Sequence, residues 1–174
     1  MKQTMLDSEK ALNVLLYLAI SLPERRNAYK VLKAIYRANK THLARYGREI
    51  FRETYQALKF GAVPAMSYDI VKHAKTGEPK IRMPDGVRKK IVVSEDDTIK
   101  ALVSPNLRAL SESDLECLNE AIEFYRGMTF DEVKDNAHED AAYKETPRDT
   151  FIPLERIILT LPDGELLLKH LKAA

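Results

Sequence analysis

Tryptophan is absent from these 174 residues, and cysteine occurs once, at Cys117. A single thiol forbids an internal disulfide and cannot build a multi-cysteine zinc site, which points to a reducing compartment and a cytoplasmic protein. Six glycines and eight prolines are too few for a collagen-like, linker-rich or low-complexity chain. The net charge of +2 singles out no class of partner. No apolar run approaches the roughly 20 residues that span a bilayer. The most apolar window, residues 11–20, follows Asp7 and Glu9 rather than a basic cluster and precedes no small-residue cleavage site. A buried core helix is expected there, not a signal segment. Also missing are a glycine-rich phosphate loop, a His-Glu-x-x-His pair and a Gly-x-Ser-x-Gly elbow. No enzyme machinery is evident.

What the chain does have is 45% apolar and 31% charged residues, the content of an ordinary globule and enough for one domain over 1–174. Its charge is split. Residues 1–75 hold 14 Lys and Arg against 6 Asp and Glu, net +8; residues 76–174 hold 14 against 20, net −6. Two such halves either attract one another within the fold or present two faces to partners.

Periodicity predicts a mainly α chain. Ser8 is placed to cap a first helix that stops before Pro23. A second begins after Asn27, with Leu32, Ile35, Tyr36, Asn39 and Leu43 at helical spacing and Gly47 at its end. Residues 50–60 read as a third helix, stopped by Gly61 and Pro64, and Ser67 as the cap of a short one. From Gly77 the pattern changes. Residues 80–83, 88–93 and 99–103 alternate or carry β-branched side chains around turns at Pro84-Asp85-Gly86 and residues 94–97. A small antiparallel hairpin or meander at about 79–103 is expected as the only sheet. Helices then resume. Ser111 or Ser113 caps one bearing Leu115, Leu118, Ile122 and Tyr125. Thr129 with Glu132 makes a capping box for the next, Pro153 opens a short one and Asp163 caps the last.

Few residues suggest chemistry. Cys117 shares an apolar stripe with Ile122, the place of a buried thiol rather than a nucleophile. Asp135, His138 and Glu139 put three ligand types on one helical face, yet a lone helix seldom supplies a whole metal site. A hydrogen-bonded histidine is the plainer reading, and no metal or other cofactor is expected. Lys30, Lys33, Arg37 and Lys40 form a basic stripe on the second helix, extended by Arg45, Arg48 and Arg52, with Tyr29, Tyr36 and Tyr46 interleaved. That stripe is a solvated face, a docking face for a protein, or a grip on nucleic-acid phosphates. Residues 111–145 hold 11 acidic residues against three basic ones. They could dock on the stripe within the fold or meet a basic partner.

Several blocks stand in a recognisable order. Lys10-Ala-Leu-Asn-Val-Leu-Leu-Tyr17 is followed by Lys30-Val-Leu-Lys33-Ala-Ile-Tyr36, ending at His42, and by Tyr46-Gly47-Arg48. Tyr55-Gln-Ala57 leads to Gly61-Ala62-Val63-Pro64, with Tyr68 beyond. Leu110 to Tyr125, Thr129 to His138 and Tyr143 complete the series. In this order, over about residues 10–145, the chain resembles the Panacea domain, also called the SocA-like antitoxin domain, of bacteria and their phages. Ala62 stands where that family usually has Pro, and Tyr143 where it often has Trp.

The resemblance implies an antitoxin and not an enzyme: one half of a toxin–antitoxin system, neutralising a cognate toxin by direct protein binding. The family's toxins are unrelated to one another and include small alarmone-synthetase-like enzymes. Some members instead act as adaptors that deliver the toxin to a protease. Partner contacts are expected at Lys30, Lys33, Arg37, His42, Tyr46, Val63, Pro64, Tyr68 and His138, with Tyr68 and His138 packed together beside the Gly61–Pro64 bend. No membrane is expected. Two other readings stay open: a nucleic-acid-binding regulator using the basic helix, and a metal-dependent enzyme using Asp135, His138 and Glu139.

Overall fold

A helix that is apolar almost all round must be surrounded by other elements. In the computed structural model, which describes residues 2–22, 27–78 and 83–174, this is the case for α1, Lys2–Ser21. Ala11, Leu12, Val14, Leu15, Leu16, Leu18 and Ala19 are all buried, against elements from both halves of the chain. Burying each leucine is worth about 1.5–3 kcal/mol. Ser8 is not the cap. It lies inside α1 and donates its hydroxyl to the Met5 carbonyl at 2.9 Å, so the helix begins earlier than the serine suggests. The second helix, α2, is Ala28–Tyr46. Asn27 caps it by accepting from the Lys30 amide, and Gly47 ends it at φ +68.

Residues 50–60 correct the sequence reading, because they are not a helix. The chain leaves α2 extended and forms β1, Tyr55–Leu58, which turns at Lys59 and Phe60 into β2, Gly61–Pro64. The strands pair antiparallel with Tyr55 opposite Pro64 and Leu58 opposite Gly61. Two side-chain contacts draw the segment out. Asn39 on α2 accepts from the Ile50 amide at 3.0 Å and donates to the Tyr55 hydroxyl at 2.6 Å. Tyr55 and Ala57 then point into the core at the strand period of two.

Helix α3, Ala65–Thr76, starts directly at Pro64. Ser67 does not cap it either. The cap is Glu53, whose carboxylate accepts from the Met66 and Ser67 amides at 3.0 Å and from the Ser67 hydroxyl at 2.9 Å. A carboxylate is well placed there, facing the positive end of the helix dipole.

The expected hairpin near 79–103 exists in shortened form. Residues 87–90 make one helical turn, α4 (Val87–Lys90). They lead into β3, Ile91–Val93, which pairs with β4, Ile99–Ala101. The strand expected over 80–83 lies mostly outside the described residues. This hairpin is not the only sheet, since β1 and β2 form another.

A 3₁₀ turn, Leu107–Ala109, precedes α5, Glu112–Tyr125, and α6 follows as Phe130–His138. Each opens on a complete capping box, Ser111 with Asp114 and Thr129 with Glu132. Next come α7 (Ala141–Lys144), β5 (Phe151–Ile152), α8 (Leu154–Leu159) and α9 (Gly164–Ala173). Strand β5 adds to the free edge of β1, giving the sheet order β2-β1-β5. The fold is mainly α: 60% of it is helix, in nine segments among the described residues.

The charge split turns out to be internal. Lys10 pairs with Asp114 at 2.6 Å, Lys40 with Asp140 at 2.5 Å, Arg45 with Glu116 and Glu120 at 2.5 and 2.7 Å, and Lys75 with Asp97 at 2.8 Å. Each pair joins the basic half to the acidic half. Among the described residues no helix is long and apolar enough to cross a membrane.

Candidate functional site

Four backbone carbonyls in and beside the turn between β1 and β2 each accept from a donor side chain. Tyr143 on α7 donates to the Leu58 carbonyl at 2.7 Å. His138, at the end of α6, binds the Lys59 carbonyl through Nε2 at 3.1 Å. Because a carbonyl can only accept, that nitrogen carries the proton. Tyr29 on α2 donates to the Phe60 carbonyl at 2.8 Å, and Lys33 on α2 donates to the Ala62 carbonyl at 2.6 Å. The His138 and Tyr143 rings lie parallel, centroids 5.6 Å apart. Backbone groups left unpaired in such a place would each cost on the order of 1–3 kcal/mol. The turn is clamped.

Gly61 explains why the clamp can close. It sits at φ +106, and a Cβ there would lie 2.8 Å from the Ala137 Cβ and 2.9 Å from the Lys33 Nζ. Only glycine tolerates both the backbone and the neighbours.

On one side of the hairpin is a cleft of about 610 Å³ between α2 and the acidic helices. Lys33, Tyr36, Arg37 and Lys40 reach into it from α2, and Tyr125, Asn136 and Asp140 from α5–α7. Lys33 is only 1% exposed. Burial pulls its ammonium down to about 7, against a smaller upward pull from Asp140. The Asp140 carboxylate is fully engaged: it accepts from the Tyr36 hydroxyl, the Tyr143 amide and the Lys40 ammonium. Burial and then Asp140 push the Tyr36 phenol well above its ordinary range.

On the other side is a groove of about 700 Å³. Tyr29, Phe60 and Phe130 form its aromatic wall, with centroids 4.6–6.2 Å apart, and Val63 and Tyr68 line it further along. Phe60 and Phe130 remain 37% and 41% exposed. Lys59 lies over the Phe60 ring and Lys72 over the Tyr68 ring.

The expected contact residues fall in several places. Val63 and Tyr68 are brought together in the groove, and Arg37 lies half-buried in the cleft over Phe124. Lys30, His42 and Pro64 are buried, and Lys33 reaches only the floor of the cleft, which corrects the picture of an exposed basic stripe. His42 ties α2 to its neighbours instead, with Nδ1 on the Arg48 carbonyl at 2.7 Å and Nε2 3.0 Å from the Ser113 hydroxyl. Tyr46 is exposed at the far end of α2, its ring tilted against His42 and its hydroxyl donating to Glu116. Tyr68 and His138 do not pair. Among the described residues no hydrogen bond joins them, and His138 turns to Lys59 and Tyr143.

Glu139 pairs with Lys144, and among the described residues no cluster of three His, Cys, Asp or Glu side chains is placed to hold a metal ion. Cys117 is buried, its thiol pushed up to about 11 by that burial. The sequence reading missed Phe60, Phe130 and Asp140. Phe60 immediately before a glycine was the available signal for a turn, and assignment to a helix end concealed it.

The model of one family, described as antitoxin SocA-like, Panacea domain, matches residues 31–144, about two thirds of the chain. The chain belongs to that family. The match takes in α2 from Val31 onward, the hairpin, and α6 and α7, which bear His138 and Tyr143. No curated protein and no solved structure matches the chain.

Proposed function

We propose that this protein is an antitoxin that neutralises a cognate toxin by direct protein–protein binding, acting in the cytoplasm without catalysis. The observation that supports the reading is the aromatic groove. Apolar rings left exposed beside a rigid turn are the kind of anchor around which protein interfaces concentrate their energy. The partner segment that fits it offers an apolar side chain to Phe60, Phe130 and Tyr68 and a carboxylate to Lys59.

Family membership supports the antitoxin role, and the exposed aromatic rings support the groove as the surface that carries it. The test is co-expression with the product of the adjacent gene. Wild type should restore growth and co-purify with that product. Phe130→Ser should fold, because the ring is exposed, and should lose both properties; a partner aromatic anchor typically contributes at least 2 kcal/mol. Rescue by the Phe130→Ser and Tyr68→Ser variants equal to wild type would move the interface away from the groove. Loss of toxin without complex formation, reversed in protease-deficient cells, would favour delivery to a protease.

A further inference from the structure

We infer that the cleft between α2 and α5–α7 is a binding site for a phosphate group, free or carried by a small molecule. Its polar lining is unevenly satisfied. An ammonium has three N–H donors, and Lys33 uses one, on the Ala62 carbonyl, although the side chain is almost wholly buried. One turn further along the same face of α2, Arg37 lines the same cleft. Its guanidinium rests on the Phe124 ring with 3.4 Å to the centroid, and among the described residues no carboxylate pairs with it. The Tyr125 hydroxyl also lines the cleft and has no hydrogen-bond partner among the described residues.

Three donor groups therefore line one cleft, each with N–H or O–H capacity that no hydrogen bond among the described residues uses. The carboxylates nearby are engaged elsewhere: Asp140 is held by Tyr36, Lys40 and Tyr143, Glu139 by Lys144, and Glu120, which feels Arg37 through space, by Arg45.

The number of donors selects the ligand. Two N–H bonds from Lys33, the fork of Arg37 and the Tyr125 hydroxyl exceed the two oxygens of a carboxylate and suit the three terminal oxygens of a phosphate monoester. A bound dianion would supply the charge partner that Lys33 lacks, which burial otherwise disfavours. The volume of about 610 Å³ leaves room for a small organic group attached to the phosphate.

This site is separate from the aromatic groove, so it stands or falls apart from the toxin-binding reading. It is tested by calorimetric titration of the full chain, in phosphate-free buffer at low salt, with inorganic phosphate and with ribose 5-phosphate. Wild type should give saturable binding. Arg37→Gln should weaken it at least tenfold, about 1.4 kcal/mol, while its ligand-free melting temperature stays near that of wild type. Tighter binding of the ester identifies a small organic phosphate as the ligand; equal or tighter binding of inorganic phosphate identifies the free ion. No saturable heat from either probe at millimolar concentration, or binding unchanged in Arg37→Gln, overturns the site.

Discussion

Lys33 and Glu49 are two ionisable groups held near their neutral forms, and they tilt stability in opposite directions as pH changes. Burial raises the Glu49 carboxyl to about 8, with Glu53 adding to the effect, and one of its oxygens is buried without a partner. Between its ordinary value and about 8 the folded chain keeps a proton that the unfolded chain has lost. Stability is therefore full below about pH 4.5 and falls as pH rises through that window. Lys33 has the opposite sign: from about 7 upward the unfolded chain holds the extra proton, so stability rises with pH. The limiting slope is about 1.4 kcal/mol per pH unit for each group. Thermal melts at pH 5 to 9 should show Glu49→Gln gaining on wild type as pH approaches 8. The advantage of Lys33→Met over wild type, in turn, should be largest below pH 7 and shrink above it. A Glu49→Gln difference that is flat from pH 5 to 8 would mean that Glu49 is ionised throughout. At the same scale, Gly61→Ala should lower stability by about 2 kcal/mol or more, because it combines a strained backbone with two close contacts. Urea titration measures that loss.

Helix α3 depends on a side chain outside it. Glu53→Ala would strand the amides of Met66 and Ser67 at the buried start of α3 and that of neighbouring Thr54, at a cost of about 2–4 kcal/mol. Ser67→Ala removes one hydroxyl that shares the same acceptor and should cost under half as much. Equal losses in chemical denaturation would show that Ser67, not Glu53, holds the helix start. This pair also shows what was legible in the sequence. Caps that act within three residues, Asn27, Ser111 with Asp114 and Thr129 with Glu132, are written in local spacing and could be read there. The Glu53 cap spans 13 and 14 residues, and Ser67 stood near enough to be taken for it. Residues 50–60 failed for a related reason. Ile50, Phe51 and Tyr55 fit a helical stripe as well as a strand edge, and Asn39, a residue of another element, decides the matter.

At the scale of the molecule, opposite charges in the two halves place α2 against the acidic helices. The sequence divided them correctly but could not say that Lys33 would be drawn under the hairpin while Lys40 stayed at the cleft mouth. That depends on where Ala62 and Asp140 fall in space. The stripe thus became part floor and part rim, and the aromatic groove lay in residues whose spacing had no period to betray it. Arg45 with Glu116 and Glu120 is largely exposed and screened by salt, so raising sodium chloride to 1 M should move the melting temperature by only a few degrees. A collapse of the fold in high salt would show instead that surface pairing carries the assembly of the two halves.

The clamp on the hairpin also sets a schedule. Lys59 waits for His138, 79 residues on, and Leu58 for Tyr143, 85 residues on. A ribosome adds about 5–20 residues per second, so the turn emerges at least several seconds before the last side chains that hold it. During that interval Phe60 has no fixed pose and the groove has no second wall, because Phe130 is not yet made. A nascent chain therefore completes its aromatic groove only late in synthesis, and a message cut short before codon 143 should yield a polypeptide whose hairpin lacks the Tyr143 clamp.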